Sequence, residues 1–498
     1  MDASVITNIF GDFSAMAPMI VMILGVLLMP ALYFTTKNRV VVTAAMLAFT
    51  AVSAIVNLIL LLGGYNGDYL GLFEYDAFSG LMILLFQIVA LLIGLVTASS
   101  TEVTRLHYGA FMSLLMAATV GMMFVATATD LVVIFVGVEL ASISSYILVS
   151  MKRNDPRAAE AAVKYVIIGG MSTALTVYGI SMLYGVVGVT NLAAIADAMQ
   201  TQGFTWAFAI AMITMIAGYG FKIASVPFHM WAPDVYEGAS TPVSAFLAVG
   251  SKKMGLIVFF KIFLVMFVAG TTVSTFATAE MQYLFAIIAA ITMTVGNIVA
   301  IAQTNIKRML AYSSIAQAGY ILIVMAVMSE YALVGGIFHM FTHVFMKGGA
   351  FLIVGALICV GIGERISDYR GLAKRAPFLA FAMLLFLFSL AGIPPLAGFT
   401  SKFVLFSAAI YGDGGATSQW VWLAFLAILN SAISLYYYAR VVKAMYIEKG
   451  ESAERIAVPL PFLIAIAICV VAVIVLGVYP QAILGPAADA AAALFSLV

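Results

Sequence analysis

An all-α polytopic membrane protein with fourteen transmembrane helices is the fold class this sequence predicts, and three observations predict it. Apolar residues make up 64% of the 498 and charged residues only 9%, whereas about a quarter of a soluble domain is charged. The apolar residues fall in fourteen stretches of about 20 residues or more, the length that crosses a bilayer as a helix. The basic residues fall between these stretches with a strict parity. Mean hydropathy is +1.14. Strand-like alternation is absent, which argues against a barrel. A net charge of +1 leaves no electrostatic footprint for nucleic acid. Cys359 and Cys469 lie inside apolar runs and supply neither a disulfide framework nor a metal-ligand spacing.

In chain order the spans read 15–35, 40–63, 76–98, 108–127, 129–149, 160–187, 204–236, 241–268, 280–303, 308–328, 331–361, 377–410, 418–446 and 457–479. Sixteen of the 23 Lys and Arg residues lie in odd-numbered loops or in the span ends that flank them, from Lys37 and Arg39 through Arg105, Lys152, Arg153 and Arg157 to Lys449 and Arg455. Even-numbered loops and both termini hold none. The positive-inside rule therefore places the odd loops in the cytoplasm and both termini outside. A wrong span count would scramble that parity. Asp2 and Asp12, with no early basic residue, are unlike a typical secretory signal.

The seven remaining basic residues are all lysines and all fall inside spans: Lys164, Lys222, Lys252, Lys253, Lys261, Lys347 and Lys402. Arginine keeps its charge at any accessible pH, whereas a desolvated lysine can release its proton. A membrane interior that keeps lysines and excludes arginines suits chemistry that uses the neutral form. Snorkelling to the interface is the ordinary alternative, and it fits Lys261, nearly 20 residues into its span, best. Glu139, in DLVVIFVGVELASISSY, is the one acid deep in a span. Glu160, four residues before Lys164, shares a helix face with it, as an ordinary ion pair or a functional one.

Two spans are interrupted. Span 7 reads MIAGYGFKIASVPFHMWAPD, with Pro227 and Pro233 just after Lys222. Span 12 reads FSLAGIPPLAGFTSKFVLF, with Gly392, Pro394, Pro395 and Gly398 just before Lys402. Each proline frees helical carbonyls, and such backbone survives at membrane depth only where protein or water covers it. Two broken helices, each with a buried lysine, five spans apart and with proline and lysine in reversed order, predict two inverted five-helix repeats, spans 4–8 and 9–13. The chain then reads as a single membrane domain, 1–498: N-terminal spans (1–107), first repeat (108–268), second repeat (280–446), and last span with the C-terminus (457–498).

Span 11 adds His339, His343 and Lys347 at i, i+4 and i+8, one stripe of a helix. Such a stripe can relay protons or hydrogen-bond neighbouring helices. A metal is disfavoured, because no carboxylate or cysteine partner is evident. His229, beside the span 7 break, can guard a cytoplasmic entrance, and His107 belongs to a loop. Lys252 and Lys253 lie about 100° apart on span 8, so only one is expected to face a polar axis; the other should meet a protein interface or a wet crevice. Gly169-Gly170 and Gly348-Gly349 read as close helix packing. Phosphate-binding loops, nucleophile elbows and heme or iron–sulfur ligand sets are absent, so no redox chemistry is expected of this chain alone.

The segments GYGFKIASVPFHMWAPDVYEGASTPVSAFLAVGSK, KRMLAYSSIAQAGY and SLAGIPPLAGFTSKF resemble the signatures of the antiporter-like membrane subunits of respiratory complex I. The resemblance covers spans 4–13. By motif it implies that Glu139 is the span 5 glutamate, Lys222 the lysine of the broken span 7, Lys252 after Ser251 the span 8 lysine, and Lys402 the span 12 lysine nearest an outer half-channel. Lys253 is an extra lysine that the family pattern does not supply. The implied function is proton translocation from cytoplasm to periplasm across a bacterial inner membrane, driven by quinone reduction in other subunits. Lys164, His229, His339, His343 and Lys347 are secondary candidates on that path. No cofactor or metal is expected in this chain. FMN, iron–sulfur clusters and quinone would belong to partners: M-type and K-type neighbours, the L, J, A and H subunits, and the peripheral arm.

A physical mechanism fits these residues. A carboxylate about 7 Å from Lys222, at an effective dielectric near 20, would attract its ammonium by about 2.4 kcal/mol. Removing that attraction would favour proton release inward. A Mrp-type monovalent cation/proton antiporter subunit shares this pattern and is the alternative. An inert spacer of the membrane arm would have no reason to keep seven membrane lysines.

Overall fold

The computed structural model describes residues 3–103, 107–152, 155–202, 205–268, 275–412, 418–450 and 454–496; Asp2, Arg105 and Arg153 lie outside them. Capping side chains mark where helices begin. Asn38, Asp76, Asp130, Asp155, Thr205, Asn305 and Ser329 each accept a backbone N–H of the following first turn. Pro156 follows Asp155 at the first helical position, where its missing N–H costs nothing.

Among the described residues, thirteen helices are long and apolar enough to cross a membrane. In chain order the helices are α1 (Ala3–Thr36), α2 (Arg39–Leu62), α3 (Ala77–Thr97), α4 (Tyr108–Thr127), α5 (Leu131–Ser150), α6 (Pro156–Val187), α7 (Leu192–Gln202), α8 (Trp206–Ile223), α9 (Trp231–Gly238) and α10 (Thr241–Phe267). They continue as α11 (Thr275–Ala302), α12 (Ile306–Val327), α13 (Glu330–Cys359), α14 (Pro377–Ala391), α15 (Ala397–Tyr411), α16 (Val421–Tyr446), α17 (Leu460–Val478) and α18 (Gln481–Ser496). The expected span 12 is the pair α14 and α15, each shorter than a full crossing. Features with no counterpart in the span list include a hairpin of β1 (Gly67–Tyr69) and β2 (Phe73–Tyr75), the short α7, two single-turn helices at Ile366–Tyr369 and Leu372–Arg375, and α18.

The interior is formed by α10, α12 and α13. Every residue of the apolar window of α10 is buried, and 94% of those in α12 and α13. The apolar sides of α1, α2, α6, α16 and α17 face outward, as lipid contact requires. π-helical turns at Leu247–Ser251 and Phe260–Leu264 interrupt α10 on either side of its lysine pair.

Both helix breaks form, but with fewer residues than expected. α8 stops at Ile223, and Ala224 takes a left-handed conformation (φ 55°). Pro233 is not part of the break; it sits in the first turn of α9, where proline is tolerated. α14 stops at Gly392, whose φ of 90° suits a residue without a side chain. Gly398 likewise belongs to α15, its N–H donating to Ser389 Oγ at 3.0 Å, rather than to the break.

Candidate functional site

The two broken helices present their lysines differently. Lys222, in the last turn of α8, donates to Ser142 Oγ (2.5 Å) and Tyr146 Oη (3.1 Å) of α5. Its ammonium also lies over the Phe221 ring (5.1 Å). Ser142 and Tyr146 follow Glu139 at i+3 and i+7, so one face of α5 carries all three. The Glu139 carboxylate accepts from Thr173 Oγ1 of α6 at 2.8 Å. Glu139 is half-buried rather than sealed in the interior, so its carboxylate is open to influence from outside the chain. An aromatic stack holds the break: Trp231 lies flat on Tyr165 (centroids 4.6 Å apart), and its Nε1 donates to the Phe221 carbonyl at 2.9 Å.

Lys252 and Lys253 are both enclosed by protein, as an interface position for the second lysine allows. α10 is surrounded on all sides, so a 100° separation points two side chains at two different interior neighbours. Lys252 Nζ lies over the Tyr236 ring (5.4 Å) and has no hydrogen-bond partner among the described residues. Lys253 lies within electrostatic reach of His339 and His343 on α13.

The α13 stripe is fully buried and ends at the second lysine site. Gln317 Nε2 donates to the Leu390 carbonyl (3.2 Å), which leaves its Oε1 to accept from His339 Nε2 (2.9 Å). His339 Nδ1 then accepts from Ser401 Oγ at 2.9 Å. Lys402 Nζ donates to the same Leu390 carbonyl at 2.7 Å and to Ser431 Oγ at 2.9 Å. The break at Gly392 leaves that carbonyl available, so His339 and Lys402 are joined through it. Lys402 also faces the Tyr320 ring (4.9 Å) and lines a cavity of about 520 Å³ with Gly392, Phe399, Phe403 and Ser431. Lys347 donates to Ser313 and to the Leu310 carbonyl (3.0 Å). His343 has no partner among the described residues on either ring nitrogen. Among the described residues, none of Lys222, Lys252, Lys253, Lys347 and Lys402 forms an ion pair.

Other candidates lie apart from this row. Lys164 is partly exposed and pairs with Glu160 and with Asp234, each at 2.7 Å. Arg308 binds Asp234 (2.7 Å) and Glu237 (2.9 Å) in the same network, which ties α9 to α6 and α12. Partial burial would raise the Asp234 carboxyl, but Lys164 and Arg308 hold it below the usual carboxylate range. His229 is buried beside the break, with Nδ1 unpartnered among the described residues, and His107 is exposed. Lys261 does not snorkel: it is buried and donates to the Ala128 carbonyl at 2.8 Å. No cluster of three metal-ligating side chains occurs among the described residues. Sequence reasoning missed Ser142, Tyr146, Gln317, Ser401 and Ser431. Gln317 and Ser401 were within the quoted motifs, and Ser401 is the polar neighbour of Lys402.

Membrane-length helices around an enclosed row of lysines and histidines define an ion-translocating polytopic membrane protein. Residues 128–434 match the family described as NADH:quinone oxidoreductase/Mrp antiporter, TM, and the chain belongs to that family. It is 43% identical over 416 residues to F(420)H(2) dehydrogenase subunit N of Methanosarcina mazei, covering 82% of each chain. It is 39% identical over 459 residues to NADH-quinone oxidoreductase subunit N of Bacillus anthracis, covering 90% of this chain and 89% of that one. Among solved structures, a chain of respiratory complex I from Thermus thermophilus with bound aureothin superposes with a TM-score of 0.78 at 28% identity, over 94% of this chain and 98% of that one. A chain of the Mrp complex from Dietzia sp. gives 0.84 at 21% identity over 97% of both, a likeness of fold.

Proposed function

We propose that this chain is the N-type proton-translocating membrane subunit of a quinone-reducing respiratory complex. The observation that carries the reading is the set of buried, ion-pair-free lysines at both broken helices, with the α13 histidine His339 tied through Gln317 and the Leu390 carbonyl to the Lys402 site. A proton enters from the cytoplasm to Lys222, passes Lys252 and the α13 stripe, reaches Lys402, and leaves through the cavity beside it. Glu139 sets the proton affinity of Lys222 from the α5 face. The order of steps follows the two inverted repeats, 108–268 and 280–446, with both termini periplasmic in a bacterial inner membrane.

Electron transfer belongs to partner subunits in this reading, which carry FMN, iron–sulfur clusters and the quinone site. The two relatives named above are both N subunits of dehydrogenases with different donors, F(420)H(2) and NADH. The donor is therefore set by another subunit. M-type and K-type subunits are the expected membrane neighbours. The Mrp-type alternative is disfavoured, since the Mrp likeness is one of fold at 21% identity while the N subunits reach 39–43%. Purification of the tagged chain from gently solubilised native membranes tests the reading. Quinone-reducing activity should co-purify with it; co-purification with cation/proton antiporter subunits and no quinone-reducing activity would overturn it.

A further inference from the structure

Three odd-numbered loops meet at one end of the second repeat, and they meet in arginines. A bridge between Asn305 and Arg365, with Ile366 N–H donating to the Thr304 carbonyl (2.9 Å) and Ile306 N–H to the Glu364 carbonyl (2.8 Å), laces the loop after α11 to the loop after α13. The Gly371 N–H donates to the Ala444 carbonyl at 3.1 Å, which ties the second of these loops to the end of α16. Ile366 and Tyr369 are buried and anchor their single-turn helix, while Arg365 and Arg370 at its two ends stay exposed. Between these elements lies a cavity of about 510 Å³, lined by Arg365, Arg370, Arg440, Thr304, Ser367 and Glu448. Three guanidinium groups there face one carboxylate. Glu448 accepts from Arg370 Nε at 2.7 Å, in a partly exposed pair of the kind that contributes little. Arg440 donates to the Ile301 carbonyl (2.8 Å) and to the Gln303 carbonyl at the end of α11, and its Nε has no partner among the described residues. Neither Arg365 nor Arg440 forms an ion pair among the described residues. Asp368 accepts from the Arg365 backbone N–H at 3.0 Å instead of pairing with its guanidinium.

We infer that this cavity holds the phosphate of an anionic phospholipid, with an acyl chain laid along α16. The planar fork of arginine matches the oxygens of a phosphate, and the excess positive charge favours an anionic head. Phe425, Leu429, Ala432 and Tyr436 precede Arg440 by 15, 11, 8 and 4 residues, so they share its side of α16, and all four are exposed. This apolar stripe runs about 22 Å from the guanidinium along the helix, farther than the roughly 15 Å that one leaflet spans. Tyr436, one turn from Arg440, stands where a tyrosine meets the headgroup level. A free phosphate would use the arginines and leave the stripe without a role, whereas a phospholipid uses both. Basic pockets at the ends of membrane helices are suited to such headgroups. The proposed proton path uses none of these residues. Its orientation, with odd loops in the cytoplasm, decides only which leaflet supplies the lipid.

The test is photolabelling of the whole complex in proteoliposomes, with a diazirine-bearing phosphatidylglycerol and the same acyl probe on phosphatidylcholine. Label on residues 436–447 is read by peptide mass spectrometry against label on the lipid-facing side of α17 in the same chain. Phosphatidylglycerol should label 436–447 about tenfold more than phosphatidylcholine does, and Arg365→Gln should remove most of that preference, as loss of a charge-assisted hydrogen bond implies. Lys374→Gln, an exposed charge outside the cavity, should leave the preference intact. Should Arg365→Gln fail to assemble, Arg370→Gln carries the same test, because its pair with Glu448 is partly exposed. Excess inorganic phosphate should leave the label in place; its loss would make the cavity a site for small free anions. Equal labelling by the two lipids, an equal loss in Lys374→Gln, or no label on 436–447 from either probe, as when another protein segment covers the stripe, would each overturn the assignment. Labelling is read without turnover, so failure of the proposed pumping role would show separately, in the donor-driven assay.

Discussion

Lys222 and Lys402 end corresponding broken helices, yet their surroundings differ in kind. Lys222 is held by two hydroxyls of α5, on the face that also carries Glu139. Lys402 is held by a main-chain carbonyl and a serine, with no acidic partner, and opens on a cavity. A carboxylate can move or change charge, whereas a carbonyl dipole at a helix end is fixed. In the proposed reading the first site is therefore the one that is switched and the second the one that passes a proton on. Glu139 is half-buried on the face of α5 that also carries the exposed Val132, Val136, Ile143 and Ile147, so a charge arriving from a neighbouring subunit could reach it.

Removing the switch should have the largest effect. Glu139→Ala should leave less than about a tenth of donor-driven pumping, a barrier change of at least about 1.4 kcal/mol, while Glu139→Asp should be intermediate because the carboxylate remains. Pumping is measured in inside-out vesicles normalised to assembled complex on native gels. Equal, small losses in the two variants would reduce Glu139 to a packing residue and erase the contrast between the halves.

The link between the sites comes next. Lys252→Met and Lys253→Met should both cut quinone-coupled turnover, because both ammonium groups point into the interior. The family pattern, which supplies Lys252 and not Lys253, favours a tolerated Lys253→Met. A wild-type rate in that variant would restore the single-lysine path. Gln317→Leu should cost several-fold in pumping with assembly intact. It breaks the bridge from His339 to the Leu390 carbonyl but leaves Lys402 its own bond to that carbonyl. An unchanged rate would mean that the proton does not use the bridge.

The spans and both breaks were legible, because hydropathy and proline act locally and need no tertiary information. The hairpin at 67–75 was not, since three-residue strands carry no periodic signal. α18 is only 16 residues long, short of a span. The lysines and histidines were found because charge in an apolar run is conspicuous. Their hydroxyl and amide partners were not, because Ser142, Gln317, Ser401 and Ser431 are unremarkable until helices meet. The neighbours of Lys253 were not legible for a related reason: α10 has protein on every side, and only the packed helices show what each lysine meets.

The smallest effect belongs outside the row. Asp234 is held below its usual range by Lys164 and Arg308, so its contribution to stability is complete at neutral pH and fades as pH falls through the carboxylate range. Asp234→Asn should lower the thermal midpoint of the complex slightly at pH 7 and by less at pH 4. The pair Lys164–Asp234 is partly solvated, which keeps the effect small. A larger loss at the lower pH would reverse the sign argued here.

Lys222→Ala is the most direct test that protons move along this row. The variant is purified as assembled complex, reconstituted, and assayed for proton uptake during quinone reduction. The account predicts normal assembly with proton pumping, and the electron transfer tied to it, almost abolished. Near wild-type pumping by the assembled variant would contradict it.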